Sequence, residues 1–465
     1  MNSKIENLKF KYDHIAFKDN SQISKAEEFS KGYKVFIENA KTEREATKFI
    51  EEYAIKSGYK KFDKNTKYKS GDKIYYNNRD KSIILSTVGN SKISEGINFC
   101  VSHIDSPRID LKVTPMFESD QLAYFKTHYY GGIRKYQWVC VPLAMHGKIF
   151  LKNGNSVELC LGEKDDEPKF VISDLLPHLG QKQNDRKLSE GIKASEMNII
   201  ISSLPYIEEG NKEEIKDAFK LKALEILNSM YGITEKDFIR SEIEFVPATK
   251  PCDIGLDRSM VGGYGQDDRV CAYPSLIAEV EIKNNNKTTV TVFTDKEEIG
   301  SEGNTGMVSN FTFDFLEDYI KCIDDNADIK EVYKNSLCLS SDVNAAYDPT
   351  FSDVFDKYNS SYLNKGPCIT KYTGSRGKSG SNDASCETMA RIMDIIDSKG
   401  VYWQTGDLGE VDIGGGGTIA KYMSQRNIDT IDFGVPVLAM HSPFEITSKL
   451  DIYNTYLAYK ALYES

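Results

Sequence analysis

Histidine and carboxylate residues recur in four places along this sequence, each directly after a run of β-favouring residues. They are His103 with Asp105, residues 295–298, Asp342, and His441. Imidazole and carboxylate side chains together are typical ligands of transition metals, whereas magnesium and calcium sites are built from oxygen ligands. The residue types therefore favour zinc, with manganese or cobalt as substitutes, and they indicate metal-dependent chemistry.

Two acidic doublets, Asp267-Asp268 and Glu297-Glu298, have two interpretations. In most proteins such pairs are solvated surface residues. The second doublet, however, follows a β-branched strand and precedes residues 299–301 (Ile-Gly-Ser), so it lies where a strand passes into a loop. Neighbouring carboxylates there point in different directions. One can bind a metal while the other acts as a base, as metal-assisted hydrolysis requires.

A centre with two divalent cations needs a carboxylate that bridges them at about 3.5 to 4 Å, and Asp267 is the candidate. The predicted ligand set then has two histidines and three carboxylates: His103, Asp267, Glu298, Asp342 and His441. Taken alone, such a strand-end histidine is more often only hydrogen-bonded than a metal ligand, with Asp105 able to orient its ring or the backbone. The combination of all five residues favours a metal centre.

The elements that must position these residues are short strands. Runs rich in β-branched residues predict strands at 82–88, 97–102, 288–294, 336–340 and 435–440. Ligands of open α/β sheets bind outside the carboxyl ends of strands, so the residues that follow four of these strands can converge. Two helices are predicted near the N-terminus from capping-box pairs, Ser24 with Glu27 and Thr42 with Glu45. The expected fold class is α/β, a mixed β-sheet flanked by helices.

The 465 residues suffice for two or three domains with a large core. Residues 116–246 are punctuated by glycines and contain none of the four clusters. We therefore expect them to form an inserted, mainly β domain between the two parts of the catalytic domain, 1–115 and 247–465. A glycine run near the end of the chain indicates a close backbone approach, and its Gly416 and Gly417 are expected to contact substrate.

Composition limits the partners and the compartment. A formal charge of -11 argues against nucleic acid and anionic membrane as partners. The nine cysteines are scattered without a Cys-x-x-Cys pair, which favours a reducing compartment. The sequence has no apolar run of about 18 residues, and its first 20 residues are polar. A cytoplasmic location is expected.

Five of the motifs, in the same order, resemble those of the aspartyl aminopeptidase and vacuolar aminopeptidase I family of two-zinc metallopeptidases. They lie at 101–107, 266–269, 295–301, 340–342 and 439–442, and further matches occur at 130–133 and 416–419. The resemblance extends over nearly the whole chain. It implies a two-zinc exopeptidase-like catalytic domain and an inserted dimerisation domain.

Specific roles follow from the resemblance. It implies that His103 and Asp342 hold one zinc, that Glu298 and His441 hold the other, and that Asp267 bridges them. It further implies that Glu297 is the general base and acid, and that Asp105 contacts the ligands without binding a metal itself. Asp268 departs from the pattern, because aspartyl aminopeptidases have an amide residue there, whereas related two-zinc aminopeptidases have Asp-Asp-Arg.

The inserted domain of this family lends a histidine to the neighbouring active site, and His178 stands where that histidine is expected. Its surroundings, Leu-Pro-His-Leu, are also typical of a buried core histidine. The resemblance implies a homo-oligomer, a tetrahedral dodecamer built from dimers.

The predicted function is a zinc-dependent aminopeptidase that acts on peptides with a free N-terminus. Two alternatives are a catalytically silent metal-binding assembly protein and a two-zinc deacylase or carboxypeptidase. The sequence leaves the preferred N-terminal residue open between acidic, basic and aliphatic side chains.

Overall fold

The computed structural model describes residues 8–208 and 215–465, which form two compact units. The larger unit comprises the residues up to Asp105 with Pro251–Met440 and Glu445–Ser465, and the smaller comprises Ser106–Lys250 with His441–Phe444. These units divide the chain at other residues than the expected domains 1–115, 116–246 and 247–465. The catalytic and dimerisation roles of those domains stay predictions.

The elements of the described residues are numbered along the chain. The strands are β1 (Lys60–Lys61), β2 (Lys73–Asn78), β3 (Ser82–Thr87), β4 (Ile97–His103), β5 (Arg108–Ser119), β6 (Leu122–Tyr130), β7 (Leu143–Phe150), β8 (Ser156–Leu161), β9 (Val171–Ile172), β10 (Ile199–Ser202), β11 (Ser241–Pro247), β12 (Cys252–Ile254), β13 (Met260–Gly263), β14 (Thr288–Thr294), β15 (Leu337–Ser341), β16 (Asn344–Ala345), β17 (Cys368–Thr370), β18 (Gln404–Thr405), β19 (Asp429–Gly434), β20 (Pro436–Leu438) and β21 (Glu445–Ser448). The helices are α1 (Ile15–Lys18), α2 (Gln22–Asn39), α3 (Glu43–Lys56), α4 (Gln181–Asn184), α5 (Leu188–Gly191), α6 (Ala218–Tyr231), α7 (Gln266–Val280), α8 (Phe311–Ile323), α9 (Ile329–Lys334), α10 (Cys386–Ser398), α11 (Ala420–Ser424) and α12 (Lys449–Tyr463).

The larger unit contains a nine-stranded mixed sheet and a five-stranded sheet. The nine strands are ordered β1-β2-β3-β14-β4-β15-β19-β17-β18, and the five are ordered β12-β13-β21-β20-β16. Strands β14, β4, β15 and β19 are parallel to one another, whereas β3 and β17 join them antiparallel. The expected α/β class, a mixed sheet flanked by helices, is confirmed.

Both faces of the nine-stranded sheet are buried, as the residues of β4 illustrate. Phe99 and Val101 point into one apolar core together with Leu316 of α8. Cys100, between them, points into the opposite core together with Cys271 of α7. Because successive side chains of a strand alternate between faces, a strand that is covered on both sides buries its side chains throughout. This explains why all seven residues of β4 are buried and why apolar residues predominate before its terminal histidine.

The predicted strands at 82–88, 97–102, 288–294 and 336–340 are confirmed to within one residue at each end. The strand predicted at 435–440 is shorter in the structure, where β20 covers Pro436–Leu438. Strand β19 ends at Gly434, and β20 belongs to the five-stranded sheet. Pro436 has no N–H to donate, so the ladder of β19 cannot continue through it. His441 therefore follows a strand of the smaller sheet, with Ala439 and Met440 between.

One of the two predicted helix starts is confirmed. Thr42 and Glu45 form a complete capping box at the start of α3. The Ser24 prediction is wrong, because α2 begins at Gln22. The Asp19 carboxylate accepts both the N–H and the hydroxyl of Ser21, which starts the helical turn three residues earlier.

The smaller unit is mainly β. Its seven strands are ordered β8-β7-β11-β5-β6-β10-β9, and every neighbouring pair is antiparallel. Its longest helix within the described residues is α6. Across both units, no helix of the described residues is long and apolar enough to span a membrane.

Candidate metal centre

Three adjacent parallel strands bring the predicted site residues of the larger unit to one edge of the sheet. Strand β4 ends at His103, β15 is followed by Asp342, and β14 is followed by residues 295–298. The register places Thr294 of β14 directly beside His103. Carboxyl ends of parallel strands meet at one edge, so residues distant in sequence become neighbours here.

His103 lies among carboxylates at this edge. Its Nε2 atom is 3.2 Å from Asp267 Oδ1 and 3.7 Å from Asp342 Oδ1. Ligand atoms about 2.0 to 2.2 Å from a tetrahedral zinc ion lie about 3.4 Å apart. The three side chains therefore fit a shared divalent cation in donor type and in spacing. His103 is 1% exposed, so such an ion would be shielded from bulk water on that side.

The second imidazole nitrogen is held by the next turn of the chain. His103 Nδ1 lies 3.1 Å from the carbonyl oxygen of Asp105. A hydrogen bond from Nδ1 to a carbonyl fixes the tautomer that presents Nε2 to a metal. The contacts at both nitrogens are thus compatible with the prediction that His103 is a metal ligand.

Glu297 and Glu298 begin a short 3-10 turn that extends to Ile299. The left-handed residues Lys296 and Gly300 flank the turn, with φ of 69° and 86°. Ligand atoms of the two glutamates lie within 4.8 Å of each other and of a ring nitrogen of His103. The strand-to-loop transition thus presents both carboxylates to the same edge of the sheet.

Asp105 holds this turn through the backbone. Its Oδ1 accepts the N–H of Glu297 at 3.1 Å, and its Oδ2 accepts the N–H of Glu298 at 3.2 Å. Asp105 is fully buried. One carboxylate therefore orients two successive residues of the candidate site.

Electrostatics at the site follow from burial among like charges. Burial raises the pKa of Glu297 to about 8, and the Asp342 carboxylate adds to that rise. Burial opposes protonation of His103, but hydrogen bonds to Asp105, Asp267 and Asp342 raise its pKa well above the usual value. The site thus favours positive charge at its centre, and a divalent cation would supply it.

Asp267 and Asp268 lie at the start of α7. The helix follows left-handed Gly265, has non-helical backbone angles at both aspartates, and contains a cis peptide bond between them. The fully buried Asp268 accepts the N–H of His103 at 3.4 Å. Its side chain thus contacts the main chain of a predicted ligand, a role that the sequence did not indicate.

Arg269 is a second residue that sequence reasoning missed. Its guanidinium is fully buried and donates to the carbonyl of Ile104 at 3.1 Å and to that of Lys41 at 3.0 Å. Ile104 lies between His103 and Asp105, so Arg269 fixes the turn that carries them. The available signal was an arginine directly after an acidic doublet, which does not reveal a backbone partner.

Gly434 lets strand β19 approach the predicted ligand Asp342. A Cβ atom at position 434 would lie 1.5 Å from the Asp342 carbonyl oxygen. Any side chain there would displace the backbone of Asp342. Gly416, in the glycine run, donates its N–H to Thr373 at 3.1 Å, so two loops of the larger unit lie against each other here.

The remaining predicted residues, His441 and His178, belong to the smaller unit. His441 is half-buried, and its Nδ1 lies 2.7 Å from the carbonyl oxygen of Gly132. His178 is exposed, as are Leu175, Leu176 and Leu179 around it. The interpretation of His178 as a buried core histidine is therefore wrong.

Comparison with known proteins assigns the family. Residues 36–463 match the family described as "Aminopeptidase I zinc metalloprotease (M18)". The chain belongs to the M18 family of aminopeptidases. This M18 chain is 46% identical over 449 residues to the "Probable M18 family aminopeptidase 1" of Clostridium acetobutylicum, across 95% of this chain and 96% of the relative.

Solved structures of M18 proteins have the same fold. A crystal structure of the M18 aminopeptidase from Thermotoga maritima matches with a TM-score of 0.92 and 43% identity, over 98% of this chain and 100% of that chain. Aminopeptidase I from Clostridium acetobutylicum matches with a TM-score of 0.90 and 44% identity, over the same shares. Yeast mApe1, whose structure is described as a dodecamer, shares the fold at 19% identity and a TM-score of 0.75, over 95% of this chain and 96% of that chain. The fold and the family expected from the motifs are confirmed.

Replacing Asp105 with asparagine tests its hold on the Glu297-Glu298 turn. Asparagine retains one acceptor oxygen and turns an amide group towards the other N–H. We expect Asp105→Asn to weaken metal binding by about 10- to 100-fold, as loss of an outer-shell partner does. Chelator competition measures this affinity. Asp63→Asn is the control, because Asp63 accepts a backbone N–H in an exposed turn; equal losses in both variants would contradict the expectation.

Proposed function

We propose that this M18 chain is a metalloaminopeptidase that removes the N-terminal residue from peptides with a free N-terminus. The observation that carries the proposal is the grouping of His103, Asp267 and Asp342 ligand atoms within 4.8 Å of one another, at the edge where Glu297 and Glu298 also lie. Membership of a family described as zinc metalloproteases supports it. Hydrolysis by a metal-activated water is the chemistry that such residues perform.

The proposed cofactors are two divalent metal ions, zinc foremost, with manganese or cobalt as substitutes. His103 and Asp342 would hold one ion, Glu298 and His441 the other, and Asp267 would bridge them. The Nδ1 contact of His441 with the Gly132 carbonyl supports this role, because it orients Nε2 for coordination. When bound, the ions would lower the pKa of a water molecule towards about 7 and polarise the peptide carbonyl.

Glu297 is the proposed general base. It would take a proton from the attacking water and return it to the amine of the departing peptide. Asp105 would fix the position of Glu297 by accepting a hydrogen bond from its backbone N–H. Gly416 and Gly417 are proposed to contact the peptide main chain, because residues without side chains allow close approach.

We further propose that the chain forms a homodimer in which His178 reaches the active site of the neighbouring subunit. The exposure of Leu175, Leu176 and Leu179, at 54%, 49% and 68%, supports an interface around His178. Assembly of such dimers into a tetrahedral dodecamer is the proposed final state. The description of yeast mApe1 as a dodecamer supports that size.

Replacing His178 with alanine tests this role. If its imidazole donates to the oxyanion, kcat should fall by about 10²- to 10³-fold, as with loss of one oxyanion donor, and the oligomer should persist. Steady-state kinetics and sedimentation measure both quantities. His128→Ala is the matched control, because His128 is exposed in the same unit and has no proposed role. Unchanged kcat in an intact oligomer would contradict the role of His178.

The overall proposal is tested by release of free amino acids from peptides that begin with Asp, Lys or Leu, together with N-acetylated versions. Cleavage of unblocked peptides alone supports an aminopeptidase, and the best substrate identifies the side-chain preference. Cleavage of blocked peptides would indicate the deacylase or carboxypeptidase. Bound metal without any cleavage would indicate the assembly protein. The cytoplasmic location stays a prediction from the sequence.

A further inference from the structure

Helix α7 carries the proposed bridging ligand Asp267 in its first turn but has no cap of its own. The residue before the helix is Gly265, which has no side chain to accept a hydrogen bond. The first N–H groups of a helix need acceptors when they are buried, and both Gln266 and Asp267 are buried. An acceptor must therefore come from elsewhere in the chain.

Glu445 supplies that acceptor. Its Oε2 atom lies 2.6 Å from the N–H nitrogen of Gln266 and 3.2 Å from that of Asp267, and accepts from both. The Gln266 side chain reciprocates by donating to the Glu445 carbonyl at 2.6 Å. Glu445 is 1% exposed. A buried carboxylate at the positive end of a helix makes charge-assisted hydrogen bonds, which are stronger than neutral ones.

The sheet determines this placement. Glu445 is the first residue of β21 and pairs directly with Gly263, the last residue of β13. Only Tyr264 and Gly265 separate Gly263 from the start of α7. The side chain of Glu445 therefore projects to the end of its own partner strand, where the helix begins.

The arrangement repeats that of Asp105 at the Glu297-Glu298 turn. Asp105 accepts the N–H groups of Glu297 and Glu298. Glu445 accepts those of Gln266 and Asp267. In both cases one buried carboxylate binds two successive backbone amides, and the second of the two residues is a proposed ligand.

We propose that Glu445 is a positioning residue for the metal centre, which sets the bridging carboxylate of Asp267 by holding the main chain at the start of α7. This inference rests on the proposed ligand set. Because both hydrogen bonds depend on the length of the side chain, a carboxylate one methylene shorter cannot maintain them. A neutral side chain of equal length can still place an oxygen at both N–H groups.

Two variants separate the effect of side-chain length on metal binding from the effect of charge. Glu445→Asp keeps the charge and shortens the side chain, whereas Glu445→Gln keeps the length and removes the charge. We expect Glu445→Asp to weaken Co²⁺ binding by about 10- to 100-fold and to change the visible spectrum of the bound Co²⁺, as loss of an outer-shell partner does. Glu445→Gln should stay nearer the unsubstituted protein both in Co²⁺ affinity and in the spectrum of the bound Co²⁺. Titration of metal-free full-length protein with Co²⁺, followed by absorption, measures them.

Glu279→Asp is the matched control. Glu279 lies near the other end of α7, is fully buried, and accepts hydroxyl groups from Thr87, Thr289 and Thr291. Shortening it should lower the melting temperature without changing Co²⁺ affinity. A loss of affinity equal to that of Glu445→Asp would overturn the inference.

Other outcomes also decide the matter. If the unsubstituted protein binds no Co²⁺, the proposed metal centre itself fails. If it binds Co²⁺ and Glu445→Asp binds equally with the same spectrum, or if Glu445→Gln is the weaker variant, positioning by Glu445 is overturned. Glu445→Ser is the second short variant should Glu445→Asp not fold. If neither folds, Glu445 serves stability and the inference is likewise overturned.

Discussion

Replacement of Glu297 by glutamine is expected to lower kcat by about 10²- to 10⁴-fold while two metal ions stay bound. Glutamine has the size of glutamate but cannot take the proton of an attacking water at neutral pH. The Asp105 hydrogen bond to the backbone of residue 297 does not depend on the side chain, so the turn should persist. Amino-acid release from unblocked peptides and metal analysis of the same preparation measure the two effects.

Glu302→Gln is the control for this experiment. Glu302 is exposed in the same loop, five residues further on. This variant makes the same change of charge at an exposed residue with no proposed role. If Glu297→Gln retains the activity of Glu302→Gln, Glu297 is not the base. If it loses its metals, it is a ligand, and the assignment of the two glutamates must be exchanged.

Replacement of Asp267 by alanine is expected to weaken both metal sites, because a bridging carboxylate coordinates both ions. The loss should exceed the about 10- to 100-fold effect of removing an outer-shell partner, and hydrolysis should fall to background. His441→Ala, in contrast, should remove a ligand from one ion and leave the other in place. Equilibrium dialysis with Zn²⁺ measures the number of ions that each variant retains.

The folded state of both variants is checked by circular dichroism. In metal-free protein Asp267 lies 3.2 Å from the His103 ring and is buried among further carboxylates, so its removal relieves repulsion as well as losing an ion pair. We therefore expect Asp267→Ala to fold. A variant that still holds two ions would exclude the bridge, and equal losses in both variants would contradict the assignment of His441 to one ion.

The strand ends were predictable because two local signals coincide in them. In β4 and β14 a run rich in β-branched or apolar residues precedes His103 and Glu297, as expected for strands that are buried on both sheet faces. At residues 435–440 the same logic predicted a strand, but the strand is shorter and lies in the five-stranded sheet. Composition does not reveal that Pro436 starts a strand of another sheet.

Residues that act on a distant backbone were not predictable. Glu445, Arg269 and Asp268 each contact a main-chain group contributed by another part of the chain. Nothing in the neighbouring residues marks such a contact, since it depends on which strands pair and in which register. Asp105 was identified only because its partner role could be inferred from a histidine two residues away.

The strand order also determines when the site can form during synthesis. Strand β4 pairs with β14 and β15, its neighbours in the described sheet, which begin at Thr288 and Leu337. His103 therefore leaves the ribosome long before either neighbour exists, and residues 106–250 emerge in between. Phe99 and Val101, which the finished sheet buries, lack later members of their core such as Val290 and Leu316 during that time. Newly made chains of this protein thus carry β4 without its sheet neighbours until Thr288–Thr294 has been synthesised, and unpaired strand edges of this kind favour aggregation.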